Sequence, residues 1–227
     1  MSERHEFPSR DELDRALAGH VAARLLQDIE TGGSASLAVS AGSTPKAMFA
    51  AISEKHIPWE SVWITLVDER WVEPEDPDSN ERLVRENLLQ NRACAANFVG
   101  LKSSHDDADA GLSETTERFT DIPLPLSCVV LGMGGDGHTA SWFPQARNLP
   151  ELLDPTGKAM LGTCDPVTAP HERITLTLPV VLAAREIILH ITGEEKLAVL
   201  AEAAEQGYPI AAVTEQVQNP VSTWWAP

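Results

Sequence analysis

The chain has 227 residues, 43% of them hydrophobic, with 34 Asp and Glu against 17 Lys and Arg for a net charge of −17. That apolar share supports a sizeable core without disulfides and argues against global disorder, while the acidic excess opposes non-specific contact with nucleic acid or an anionic membrane. Three widely spaced cysteines without a C-x-x-C pair fit reduced thiols, no leader-like apolar region opens the chain, and no run approaches the roughly 18 apolar residues of a membrane span, so a cytoplasmic protein is expected.

Ser9 and Glu12 have the spacing of a capping box, and Leu13, Leu17, Val21, Leu25 and Ile29 recur every fourth position. Together they predict a helix over 9–30, closed by Gly32-Gly33. A short strand is expected over 36–40, then a helix from about Thr44, with Pro45 tolerated in its first turn. Residues 62–67 are apolar nearly throughout and read as a strand buried on both faces. A proline- and acid-rich loop over 73–78 leads to Ser79, the expected cap of a helix reaching 89. Residues 106–119 read as helix, 126–131 as another buried strand, and 144–158 mostly as loop. A strand over 186–192, a helix over 194–205 and a last strand over 222–225 complete the pattern. Strands alternating with helices predict an α/β fold: a mainly parallel twisted sheet with helices on both faces, in one domain spanning 1–227. Such sheets bind ligands at the carboxyl ends of their strands. That directs attention to 40–45, 68–71, 132–138 and 192–196.

Residues 132–137 spell G-x-G-x-x-G, the dinucleotide fingerprint. The context does not fit: Pro144 arrives seven residues after Gly137, and 145–150 is no strand. The better reading is a turn that presents Asp136 and His138 together at a strand exit. Histidine titrates near neutrality and is the usual general base. The plainer alternative is a turn histidine bonded to backbone, with Asp136 a simple turn residue. At 40–45, free N–H groups at a helix start, with Gly42, Ser43 and Thr44, could cradle a phosphate; the alternative is an ordinary loop with Thr44 as cap. Three charges, Asp68, Glu69 and Arg70, follow a buried strand and are costly there unless paired or used. Arg70 could meet a phosphate or a developing oxyanion, or pair with Asp68 or Glu69. Arg173 precedes the apolar run 174–178, and Lys196 sits in a first helical turn, where the dipole disfavours a cation unless an anion is near. The other histidines lack metal spacing, H-E-x-x-H and G-x-S-x-G are both missing, and Ser141 is expected in a short helix after the turn.

These segments together resemble the 6-phosphogluconolactonase family. The matching pieces are SAGSTP (40–45), DERWV (68–72), DSN (78–80) with LL (88–89), LGMGGDGHTASWFP (131–144), RITLTLP (173–179) and GEEK (193–196). The block at 131–144 is very specific. The family is similar to glucosamine-6-phosphate isomerases, which share the Ser-Gly turn and an Asp-Gly-His turn. Two departures stand out: Ala41 replaces a usual glycine, and Phe143 stands where the isomerases carry a proton-transferring glutamate. The resemblance implies a modified Rossmann-like fold of the sugar-phosphate isomerase type. It implies hydrolysis of 6-phosphoglucono-δ-lactone to 6-phosphogluconate without metal or organic cofactor, by a monomer or small homo-oligomer. His138 is then the base that activates water, Asp136 orients it or a sugar hydroxyl, and Arg70 meets the oxyanion or the phosphate. Gly42, Ser43, Thr44, Asp68, Arg173 and Lys196 are the implied substrate and phosphate contacts. The alternatives are an isomerase or deaminase on the same fold, which Phe143 disfavours, and a non-catalytic sugar-phosphate sensor, which the intact Asp136-Gly137-His138 disfavours.

Overall fold

A computed structural model describes residues 3–227. In chain order the elements are β1 (Glu3–Glu6), α1 (Arg10–Gly32), β2 (Ala35–Val39), α2 (Lys46–Ser53), β3 (Val62–Leu66), β4 (Asp68–Arg70), α3 (Asn80–Asn87), β5 (Asn97–Val99) and α4 (Ala108–Phe119). They continue as β6 (Cys128–Leu131), α5 (Leu149–Leu152), β7 (Leu161–Cys164), β8 (Arg173–Leu176), α6 (Leu178–Ala183), β9 (Ile187–Thr192), α7 (Glu194–Gln206), α8 (Ala211–Thr214) and β10 (Ser222–Ala226). Seven strands form a parallel sheet in the order β1-β10-β9-β6-β2-β3-β5, with the helices around it, as the alternation predicted.

The long first helix follows its stripe. Leu13, Leu17, Val21 and Leu25 are wholly buried, each contributing about 1.5–3 kcal/mol of apolar burial. Ser9 Oγ accepts from the Glu12 N–H at 3.3 Å, and Gly33 closes the helix with φ +80, in the left-handed region glycine enters freely. The central strands β2, β3, β6 and β9 are apolar because they are covered on both faces.

Some elements differ from the expectations. The segment 68–70, expected as the exit of the preceding strand, is itself β4, in a second, antiparallel sheet of order β4-β8-β7. The chain changes sheets at Val67: its N–H donates to Val39 O in the parallel sheet (3.0 Å), while its carbonyl accepts from the Leu176 N–H of β8 (2.8 Å). The second helix begins at Lys46, two residues later than predicted, with Pro45 at the cap position and no side-chain cap. Ser141 lies in no helix. Ala140 takes φ +49, which breaks helical continuity, and Thr139 and Trp142 form an isolated antiparallel bridge around it. The polar edge strand β1 carries no apolar alternation; main-chain pairing with β10 and the His5 ring against Trp224 at 4.6 Å hold it.

Candidate active site

The strand order reverses between β2 and β6: these two are neighbours, yet the chain leaves β2 for β3 on the other side. At such a reversal the loops diverge and leave a crevice. Here the two loops are stitched at its base. The Ser40 N–H donates to Val130 O (2.8 Å), and the Gly132 N–H donates to Ser40 Oγ (3.0 Å). Above them opens a cleft of about 540 Å³. Gly42, Ser43, Thr44, Asp68, Arg70, His138, Arg173 and Lys196 all line it, so one cavity gathers residues from four strand exits and both sheets.

Asp136 is the exception among the expected residues, since it does not line the cleft. Its Oδ1 instead meets His138 Nδ1 at 2.5 Å and accepts the His138 N–H at 3.2 Å. Burial raises the Asp136 carboxyl, but the His138 charge and hydrogen bonds outweigh that and hold it below the usual carboxylate range. The pair fixes the imidazole with Nδ1 occupied and Nε2 left for the cleft. The turn is shaped to the ring. A Cβ on Gly134 would stand 2.2 Å from His138 Cε1 and Nδ1, and Gly137 adopts φ +75 with Tyr208 packed where a side chain would go. On the other face, His138 stacks on the buried Phe143 at 4.3 Å, and the Arg173 guanidinium lies 5.7 Å from the same ring.

Arg70 and Arg173 are directly paired across β4 and β8. Like charges opposite one another in a sheet repel. Burial lowers the Arg173 guanidinium below its ordinary value, Asp68 opposes that, and Arg70 adds to it. Each arginine keeps a buried Nε without a partner among the described residues. Arg70 Nη1 donates to Asp78 O (2.5 Å) and Arg173 Nη2 to Pro170 O (2.9 Å). Two incompletely satisfied guanidiniums facing one cavity leave open donors suited to an anion.

Neither neighbouring carboxylate neutralises Arg70 in the expected way. Glu69 points away: its carboxylate accepts the N–H groups of Arg70, Asn80 and Glu81 at 2.7 Å each and the Ser79 hydroxyl at 3.2 Å. It thereby holds β4 against the start of α3. Burial pushes its carboxyl up to about 7, against the pull of those backbone donors. Asp68 lines the cleft, and its Oδ2 accepts from Ser141 Oγ at 2.6 Å, which ties the histidine turn to β4. Lys196 lies in the first turn of α7 and arches over the glycine turn, its Nζ 3.8 Å from where a Cβ on Gly135 would stand.

The cleft also takes in Asp78, Asn80, Thr139, Phe143, His171 and His190, none of which was expected to contact ligand from sequence. For Asp78 and Asn80 the DSN piece of the family pattern was a usable signal. His171 lies two residues before Arg173 but carries no recognisable motif.

A parallel α/β sheet with a cation-lined crevice at its topological switch point is the architecture of the doubly wound class of α/β proteins. The sequence model for "Glucosamine-6-phosphate isomerases/6-phosphogluconolactonase" matches residues 8–225, and the chain belongs to that family. A 6-phosphogluconolactonase of Mesorhizobium japonicum is 45% identical over 223 residues, covering 97% of this chain and 94% of that one. One of Rhizobium meliloti is 43% identical over 227 residues, covering 98% of each. The crystal structure of a 6-phosphogluconolactonase from Shewanella baltica OS155 superposes with a TM-score of 0.97 at 44% identity, covering 100% of this chain and 98% of that chain.

Proposed function

We propose that the protein is a 6-phosphogluconolactonase, hydrolysing 6-phosphoglucono-δ-lactone to 6-phosphogluconate. The observation that carries the reading is His138, locked through Nδ1 by Asp136 and facing the same cleft as two incompletely satisfied guanidiniums. Near-full-length relatives that are lactonases support it. His138 Nε2 takes a proton from water as its oxygen attacks the lactone carbonyl carbon. Negative charge develops on the carbonyl oxygen, where nearby cations and N–H groups stabilise it. The intermediate collapses, the ring C–O bond breaks, and the same proton returns to the departing ring oxygen as the sugar hydroxyl. Lys196 and the Gly42–Thr44 turn hold the phosphate, and Asp136 keeps the imidazole oriented. Arg70 and Arg173 supply the positive charge that the substrate's anionic groups require. No metal or organic cofactor enters these steps.

Phe143 bears on the isomerase alternative. It is buried and stacked on His138, so this position offers no carboxylate for proton transfer between sugar carbons. The substrate is a small soluble metabolite, and among the described residues no helix is long and apolar enough to cross a membrane. We place the enzyme in the cytoplasm. Timed hydrolysis of freshly generated lactone, above its spontaneous rate, tests the reading, with glucosamine 6-phosphate run in parallel. Turnover of the amino sugar without lactone hydrolysis would overturn it.

A further inference from the structure

The cleft has a contact across its mouth that the reaction itself does not call for. His171 Nε2 lies 3.0 Å from Asp78 Oδ2, although 93 residues separate them. Asp78 belongs to the loop between β4 and α3, and His171 to the loop between β7 and β8. His171 adopts φ +69, a left-handed conformation that is uncommon outside glycine and costs of order 1 kcal/mol or more. Something must hold it there. The same two loops anchor the two arginines: Asp78 O accepts from Arg70, and Pro170 O, on the residue before His171, accepts from Arg173. Each guanidinium therefore hangs from a loop carbonyl within one residue of the His171–Asp78 contact. Repulsion between the guanidiniums pushes these loops apart, and the contact opposes that push.

We propose that His171 and Asp78 form a latch that positions the arginine pair. They are positioning residues: they act through the loop carbonyls on Arg70 and Arg173 and take no proton in the reaction. The inference rests on the lactonase reading for its kinetic test, though its geometry stands apart from it. The imidazole Nε2–H donates to the Asp78 carboxylate, so one contact joins the loops and covers a negative charge at the mouth of an anion site. Opening the latch leaves both sheets intact but lets the guanidiniums drift, and small displacements of charge-placing groups are expensive in catalysis.

The test is a set of double-mutant cycles on the full chain. His171→Gly keeps the backbone conformation, since glycine tolerates φ +69, and removes the contact. It is expected to leave the thermal midpoint near wild type and to lower kcat/KM for the phosphorylated lactone about fivefold, the upper range for a partly exposed pair. Asp78→Ala should cost a similar factor, and the double variant no more than either single change. In an Arg173→Met background, His171→Gly should cost little further, because the repulsion between guanidiniums that the latch opposes is gone. A purely structural loop contact would cost the same factor in both backgrounds, and that result overturns the latch. So does an unchanged kcat/KM in His171→Gly, or fully additive losses in the His171/Asp78 cycle. Wild-type protein without lactonase activity would refute the function rather than the latch. The latch is then read by calorimetric titration with 6-phosphogluconate, where the same fivefold loss of affinity is expected and an unchanged affinity overturns it.

Discussion

Gly134 offers the sharpest test of how the histidine is held. Replacing it with alanine places a Cβ 2.2 Å from His138 Cε1 and Nδ1, and 2.6 Å from Asp136 Oδ1. Ordinary carbon contacts begin near 3.4 Å, so the ring must retreat by about 1.2 Å. It cannot do so and keep its neighbours. Phe143 stacks on it at 4.3 Å, and the Nδ1–Oδ1 contact of 2.5 Å has no slack. A displacement of about 1 Å at a reacting group costs on the order of 10²-fold in rate. Gly134→Ala is therefore expected to lower kcat for lactone hydrolysis about 10²-fold. Its thermal midpoint should move little, because the backbone at Gly134 is not in the left-handed region. Gly135→Ala is the control: its Cβ would meet nothing closer than Lys196 Nζ at 3.8 Å. The assay is timed hydrolysis of freshly generated lactone, corrected for spontaneous opening. Near-native kcat in Gly134→Ala would refute the argument that a locked imidazole does the chemistry.

His138→Ala should lower kcat by roughly 10²–10⁴-fold with little change in stability; a near-native rate would remove it as the base. Lys196→Ala should mainly raise KM, by about 1.5–3 kcal/mol for a lost charge-assisted contact, and much less against an unphosphorylated lactone. Equal losses on both substrates would withdraw its phosphate role. Asp136 has a folded-state carboxyl held below its unfolded value, so its stabilising effect is full above about pH 4 and fades as the pH falls through the lower, folded value. Unfolding free energies at pH 6 and pH 3 should therefore differ more in wild type than in Asp136→Asn, by less than about 1 kcal/mol because the group is partly exposed to solvent.

The parts of the site that were legible in the sequence are those whose partners lie close along the chain. Asp136 and His138 are two residues apart, flanked by glycines at a strand exit, and the Ser-Gly turn announces itself between a strand and a helix. The arginine pair was not legible as a pair. Its adjacency follows from the register of β4 on β8, in which residues 103 positions apart face one another. The direction of Glu69 was left open for a related reason. At a strand exit it could pair with Arg70, but within a strand successive side chains point to opposite faces, which sends it under α3. Ser141 depended on the left-handed Ala140, a conformation that alanine does not advertise. The parallel sheet was read from runs of apolar residues, whereas the short strands β1, β5 and β7 carry too few to register.

Val67 gives its N–H to one sheet and its carbonyl to the other. The two walls of the cleft are thus joined at one residue whose main chain is bonded on both sides of its Cα, with no free linker between them. Swinging one wall against the other would have to turn about that single residue and strain the bonds on either side of it. The natural place for substrate and product to pass is therefore the rim, where the 71–79 and 165–172 loops are joined by the His171–Asp78 contact.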